Sequence, residues 1–424
     1  MIFTKSRTMT LLIFIGLLIG YVHQMAPAPL LLILKNHFGI THNDALLNLS
    51  ISIIYPPIIL ASILGGFLKE KIGTSKLYIC TLFFMSLGMI FNFFATNYIL
   101  FLIGRVILGL GFGFGIPFMG SAIMEWYTPK QREVMNTMNG LFPYLGTLIS
   151  FGLLLPMYNL FDNSWKLALG IWGIIGLVVA MLWIGFMNKE LNKKINNSYT
   201  EPAHEKNIYQ SLWKQKEIKL LSITFICDYI CYSYVVVVLP TLLIEANGMS
   251  ETDAGLWSAI SFSIVGILGG ILGGIAMKTT GKRRFIIIWG QILKFIGLVI
   301  VSLSAGHSTT LLILGFSLFG FGDGFWLPAL YTIPTELEDM TPAKVGAAFS
   351  VISTCGFICG FIAPVVGGYL TDQFMLFANT GDSQINHVFG LKWSIFTFAL
   401  CNVFSFISAL SIRETGPSIL CKKN

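Results

Sequence analysis

Apolar residues in this chain gather into blocks of about 18 to 25, parted by short joints rich in charge, Gly, Pro or Asn. A helix of that length crosses the roughly 30 Å of a bilayer's hydrocarbon core at about 1.5 Å per residue. The blocks predict spans near 10–34, 46–68, 77–94, 99–124, 135–158 and 165–187, then 220–244, 254–277, 285–304, 311–333, 345–370 and 391–412. Between the sixth and seventh lies 188–219, rich in Lys, Asn and Glu and too polar to bury a face, which predicts a linker. The expected fold class is an all-α polytopic membrane protein of twelve helices, organised as a six-helix half (1–187), a cytoplasmic linker (188–219) and a second six-helix half (220–424).

Composition agrees. Of 424 residues 55% are hydrophobic and only 11% charged, against roughly 25% charged in soluble domains, so the lipid bilayer is the solvent for most of the chain. The net charge of +7 does not point to nucleic acid, because the basic residues sit in the joints. With the N-terminus inside, about 22 of the 27 Lys and Arg fall on the cytoplasmic side, and only Lys35, Lys166 and Lys392 fall outside. Both termini are therefore expected in the cytoplasm of a multi-pass cell-membrane protein, with a bacterial inner membrane as the expected setting. Lys5 and Arg7 before an apolar run ending in Ala26-Pro27-Ala28 imitate a signal peptide, but Pro29 and the continuation of the run through Leu34 predict a first span instead. Six of the seven cysteines lie within apolar runs, and the six histidines are scattered. Neither pattern implies a disulfide framework, a metal or a cofactor.

The halves repeat one another. Gly109, Gly111, Gly113 and Pro117 of the fourth span recur as Gly320, Gly322, Gly324 and Pro328 of the tenth, and Glu125 recurs as Glu336, all at an offset of 211 residues. Internal repeats of this kind mark many transporters. Mid-membrane glycines let helices approach closely, whereas a dinucleotide loop would have to follow a strand. A second pair occupies the joints after spans two and eight: Gly66, Glu70, Lys71 and Gly73 in one, Gly274, Lys278, Gly281, Lys282, Arg283 and Arg284 in the other. This pair resembles the G-x-x-x-[DE]-[RK]-x-G-[RK]-[RK] signature of the major facilitator superfamily. Lys278 stands where that signature has its acid, and Thr74-Ser75 where it has its basic pair. Arg105-x-x-x-Gly109 resembles the superfamily's fourth-span motif, and Trp126-Tyr127-Thr128-Pro129-Lys130-Gln131-Arg132 the loop after it.

The resemblance implies two pseudo-symmetric halves that rock about a central cavity lined by spans one, four, seven and ten. It makes Glu70 a candidate lock on the cytoplasmic side. Gly140-Leu141-Phe142-Pro143-Tyr144-Leu145-Gly146 in span five departs from the antiporter branch's G-x-x-x-G-P-x-x-G-G, which disfavours drug antiport.

Five ionisable residues lie inside spans: His23, Arg105, Asp228, Lys294 and Asp323. Insertion costs of roughly 3 kcal/mol make each a functional candidate. Counting residues from the span ends puts Asp228 and Asp323 both roughly 12 Å from the cytoplasmic face, and His23 and Arg105 both roughly 10 Å from the outer face. Two carboxylates at one depth are expected to hold a coupling proton or contact substrate; the competing reading has each satisfy a helix defect or a hydroxyl such as that of Tyr232. Arg105 is expected to do conformational or proton-linked work more than to select substrate. His23, with Gln24 beside it, is a candidate cavity contact or pH sensor, with a packing histidine as the alternative, and Trp326, one turn beyond Asp323, is a candidate cavity wall, with packing alone as the alternative. Lys294 is expected on a peripheral ninth span, snorkelling to lipid.

The expected function is secondary active transport of a small polar or organic solute, coupled to protons, by a monomer. A drug or metabolite exporter and a non-transporting sensor are the alternatives. The outer loops, short except for Asp372–Gly390, hold no cluster of catalytic carboxylates and no nucleotide motif is present, so an enzyme is not expected.

Overall fold

A computed structural model describes residues 2–40, 43–127, 129–187, 208–340, 342–378 and 380–416. Among these, twelve helical segments are long and apolar enough to cross a membrane: Arg7–Phe38, Asp44–Lys69, Thr74–Phe94, Tyr98–Ile123, Met138–Leu160 and Trp165–Phe186 (spans 1 to 6), then Lys216–Asn247, Glu251–Thr280, Arg283–Ser304, Thr309–Glu336, Lys344–Ala378 and Ser383–Ser411 (spans 7 to 12). The chain divides into two units, one drawn from Met1–Thr41 and Leu49–Glu201, the other from His42–Asn48 and Pro202–Asn424.

In the first unit span 4 packs between spans 2 and 3, span 3 against span 6 and span 1 against span 5; in the second, span 10 packs between spans 8 and 9, span 9 against span 12 and span 7 against span 11. The repeated glycines explain the likeness. A Cβ on Gly109 would lie 2.5 Å from the Ile54 carbonyl oxygen of span 2, and one on Gly320 2.7 Å from the Phe262 carbonyl oxygen of span 8. Such contacts exclude any side chain and let backbones touch. The outward faces repeat too. Leu60, Ile63, Leu64 and Phe67 on span 2, and Leu268, Ile271, Leu272 and Ile275 on span 8, are exposed at helical spacing, the face a spanning helix gives to lipid.

Several boundaries differ from those expected. Span 7 starts at Lys216, and Ile208–Lys214 ahead of it is helical, so the end of the expected linker is helix. The expected outer loop 372–390 is largely helix as well. Span 11 runs on to Ala378 and span 12 begins at Ser383, where the Asp382 side chain caps it by accepting from Gln384 and Ile385 N–H. Hydropathy drops at these polar turns while helical hydrogen bonding continues.

Candidate functional site

Span 9 carries the central finding. Its buried face is Ile286, Ile287, Gly290, Gln291, Lys294, Gly297, Leu298 and Val301, spaced as one stripe of a helix. The small residues on that stripe set the distance to span 10. A Cβ on Gly322 would lie 2.6 Å from the Gly290 carbonyl oxygen and 2.8 Å from the Lys294 nitrogen, and one on Gly297 2.6 Å from the Gly315 carbonyl oxygen. Spans 9 and 10 thus meet backbone to backbone, which brings Lys294 beside Asp323.

Lys294 is fully buried. Its Nζ donates to Asp228 Oδ1 of span 7 at 2.5 Å and to Asp323 Oδ1 at 2.6 Å, and lies 5.1 Å from the centre of the Phe319 ring. Gln291 Nε2 donates to the same Asp228 oxygen at 3.1 Å, and Asn402 of span 12 donates to the Gln291 carbonyl at 2.9 Å. Two carboxylates and one ammonium leave a formal charge of −1 in a buried site. Removing the ammonium from such a group costs about 3–5 kcal/mol, because the carboxylates left behind are uncompensated.

The expectation that Lys294 snorkels to lipid is corrected by this geometry. Arg283 begins the helix and Ser304 ends it, so Lys294 stands roughly 15 Å from either end, beyond the reach of its side chain. That position, and the Gln291 one turn earlier, were the signals of an inward-facing lysine.

The first unit holds a different kind of cation. Span 1 is broken: its helix ends at Met25, a 3-10 turn covers Ala28–Leu30, and a new helix starts at Leu31. Pro27 has no N–H to give the His23 carbonyl, so that oxygen loses its helical partner. Span 2 breaks likewise between Ser52 and Tyr55, ahead of Pro56 and Pro57. Arg105 serves both breaks, donating from Nη1 to the His23 oxygen at 2.5 Å, from Nη2 to the Gln24 oxygen at 2.9 Å and from Nε to the Ser50 oxygen at 2.8 Å. It is buried, and none of the described acids pairs with it.

The remaining expected residues take up their places around these centres. His23 is buried with its Nε2 unpartnered. Gln24 donates to the Tyr55 hydroxyl at 3.1 Å. Tyr232 lies against the rings of Tyr229 and Phe262. Trp326 is sealed in an apolar cluster with Leu221, Ile287, Ile333 and Ile352.

In the joints, Gly73 and Gly281 end their helices at φ of +83° and +62°, where any other residue would be strained; Gly66 and Gly274 have open space beside them. Lys69 pairs with Glu125 at 3.3 Å. Arg283 pairs with Glu336, its Nη2 at 2.7 Å and its Nε at 3.1 Å, and Glu414 accepts from the Arg283 and Arg284 backbone N–H groups that open span 9. Lys71 and Lys278 are exposed. The Glu70 side chain, assigned the lock, lies outside the described residues.

A further cluster escaped the sequence reading. In the second unit the His387 ring joins Asp44 through Nε2 and Glu245 through Nδ1, and the Asp44 N–H donates to the Asp372 carboxylate at 3.1 Å. Each of these residues stands at the end of a span, where a polar side chain reads as solvated.

The sequence profile described as Major Facilitator Superfamily matches residues 12–222 and again 221–418. The chain belongs to the major facilitator superfamily. As a member of it, this is a multi-pass membrane transporter. It is 26% identical to a probable galactarate/D-glucarate transporter of Escherichia coli over 359 residues, covering 75% of this chain and 78% of that one. It is 23% identical to a probable sulfoacetate transporter of Cupriavidus necator, covering 84% and 85%, and 24% identical to a hexuronate transporter of Bacillus subtilis, covering 83% of each. Among solved structures, a bacterial homolog of the human lysosomal transporter Spinster shares the superfamily fold with a TM-score of 0.80 at 15% identity, over 96% of this chain and 98% of that one.

Proposed function

We propose that this transporter moves a small organic anion by alternating access, driven by protons, as a monomer with both termini in the cytoplasm. The observation that carries the proton drive is one buried ammonium shared by two buried carboxylates, Asp228 and Asp323. The site holds one negative charge more than its partner neutralises. A proton on either carboxylate removes that charge without needing room, and losing it restores the charge. A buried group that alternates between −1 and 0 can tie reorientation of the protein to the passage of one proton.

The anion reading rests on the other half. Arg105 places a positive charge in a buried site where its partners are neutral carbonyl oxygens. An uncompensated cation in low dielectric favours an anion nearby. The named relatives point the same way, since galactarate, D-glucarate, hexuronates and sulfoacetate all carry carboxylate or sulfonate groups at neutral pH.

Uptake into reconstituted vesicles tests both parts. Labelled D-glucarate, a hexuronate and sulfoacetate serve as probes, with an imposed pH gradient as the only driving force. At least one is expected to accumulate, and a protonophore to abolish the accumulation. Accumulation that persists with the protonophore present would remove the proton drive; transport of neutral sugars alone would remove the anion.

A further inference from the structure

We infer that Asp228, Asp323 and Gln291 form a binding site for a monovalent cation, that the Lys294 ammonium is its permanently tethered occupant, and that this occupancy closes the transporter to sodium. The inference rests on the proton-driven reading above and narrows it to the ion the site can accept.

The geometry is that of a cation cage. Carboxylate oxygens from two different spans converge on one Nζ at 2.5 and 2.6 Å, with a ring face at 5.1 Å on a third side. Oxygen is what hard cations bind, and carboxylate and amide oxygens are the usual donors. The cluster also offers more oxygen than its occupant takes. Gln291 turns its Nε2 toward Asp228, leaving its fully buried Oε1 unpartnered, and the buried Asn402 Oδ1 next to span 9 is unpartnered as well. A half-turn of the Gln291 amide would point that spare oxygen at whatever lies against Asp228. An ammonium on Lys294 leaves it idle; a bare cation would engage it.

Charge decides which ions enter. A sodium ion arriving beside Nζ would meet a fixed positive charge at close range in a low-dielectric interior, and it would need the volume Nζ already fills. A proton joins a carboxylate oxygen and displaces nothing. Among the described residues, Cys231 of span 7 faces Lys294 and Asp228, Cys227 faces Asp228, Tyr331 of span 10 faces Asp323, and Cys401 of span 12 lies behind the two cysteines; none of these carries a positive charge to replace Lys294. Removing the lysine side chain therefore leaves two carboxylates and, with the Gln291 amide turned, an amide oxygen around the place that Nζ filled.

The test is thermal unfolding of the purified full chain in sodium chloride against choline chloride at equal ionic strength. The wild type is expected to unfold at the same temperature in both. Lys294→Ala is expected to gain a saturable rise in unfolding temperature with sodium or lithium, as a ligand that binds only the folded state produces. Should Lys294→Ala fold only in sodium, that dependence is itself the expected result. Lys294→Ala with Asp323→Asn keeps one carboxylate and the same net charge as the wild type; it is expected to respond to sodium too, more weakly. Lys294→Ala with both Asp228→Asn and Asp323→Asn is the neutral control, expected to ignore it. Identical unfolding in sodium and choline for both carboxylate-bearing variants would overturn the tethered-cation site, as would specific stabilisation of the wild type by sodium. Failure of the proton drive shows elsewhere, as wild-type uptake indifferent to a pH gradient, and leaves the sodium response standing.

Discussion

Among the described residues each unit holds a cation deep in the middle of its spans, and the two are held in opposite ways. Arg105 spends its guanidinium on three backbone carbonyls exposed by broken helices. Lys294 spends its ammonium on two carboxylates. Carbonyls are dipoles whose charge does not change, so the arginine is a clamp for the unwound turns of spans 1 and 2. Carboxylates can gain and lose protons, which is what the proposed proton drive asks of the lysine's partners. The repeat places neither the arginine nor the Asp323 carboxylate that holds the lysine: at the offset of 211 residues, Arg105 corresponds to Phe316 and Asp323 to Phe112. The shared scaffold of glycines gives both halves the same helix packing, and each half has put its own chemistry into it.

Removing the cations should separate these roles. The largest effect is expected from Lys294→Met in sodium-free buffer, which strands two buried carboxylates and should cost about 3–5 kcal/mol of stability. Adding Asp228→Asn and Asp323→Asn should return most of it, since an apolar and amide cluster needs no counter-ion. Thermal unfolding of the single and triple variants measures this, and a triple variant no more stable than the single would show that the lysine acts through packing.

Arg105→Met comes next. It takes a donor from three buried carbonyls, with an expected loss of about 1–3 kcal/mol in all, since the loosened turns can swing most of these oxygens to another donor. Here Asp-to-Asn changes should rescue nothing, because no carboxylate is stranded, while Arg105→Lys should recover part of the loss by supplying three donors. Rescue by an acid substitution would show that Arg105 has an ionic partner and would erase the contrast.

The smallest effect on stability, under about 1 kcal/mol, is expected for Asp323→Asn, since Lys294 and Asp228 then balance. Its effect on transport should be large and selective. Accumulation driven by a pH gradient should fall at least tenfold, whereas exchange of labelled for unlabelled solute should survive, because exchange reorients the loaded protein without releasing the proton. Undiminished accumulation in this variant, in Asp228→Asn and in the double variant would make the pair structural.

Much of this was legible in the residue order. The spans follow from runs of apolar residues, because lipid rewards unbroken hydrophobic length. The glycine repeat follows from identity at a fixed offset. The pairing of depths, Asp228 with Asp323 and His23 with Arg105, follows from the constant rise of a helix, and the structure joins each pair through one side chain. Only the tertiary structure decided where a side chain turns around its helix and what meets it there. Hydropathy sums over all faces, so it could not show that Lys294 looks inward between two carboxylates, or that Arg105 faces bare carbonyls. Nor could it show that Asp44, Glu245 and His387, at the ends of spans 2, 7 and 12, close on one another. Those partners lie 29 to 343 residues apart in sequence, and only packing of the spans sets such distances.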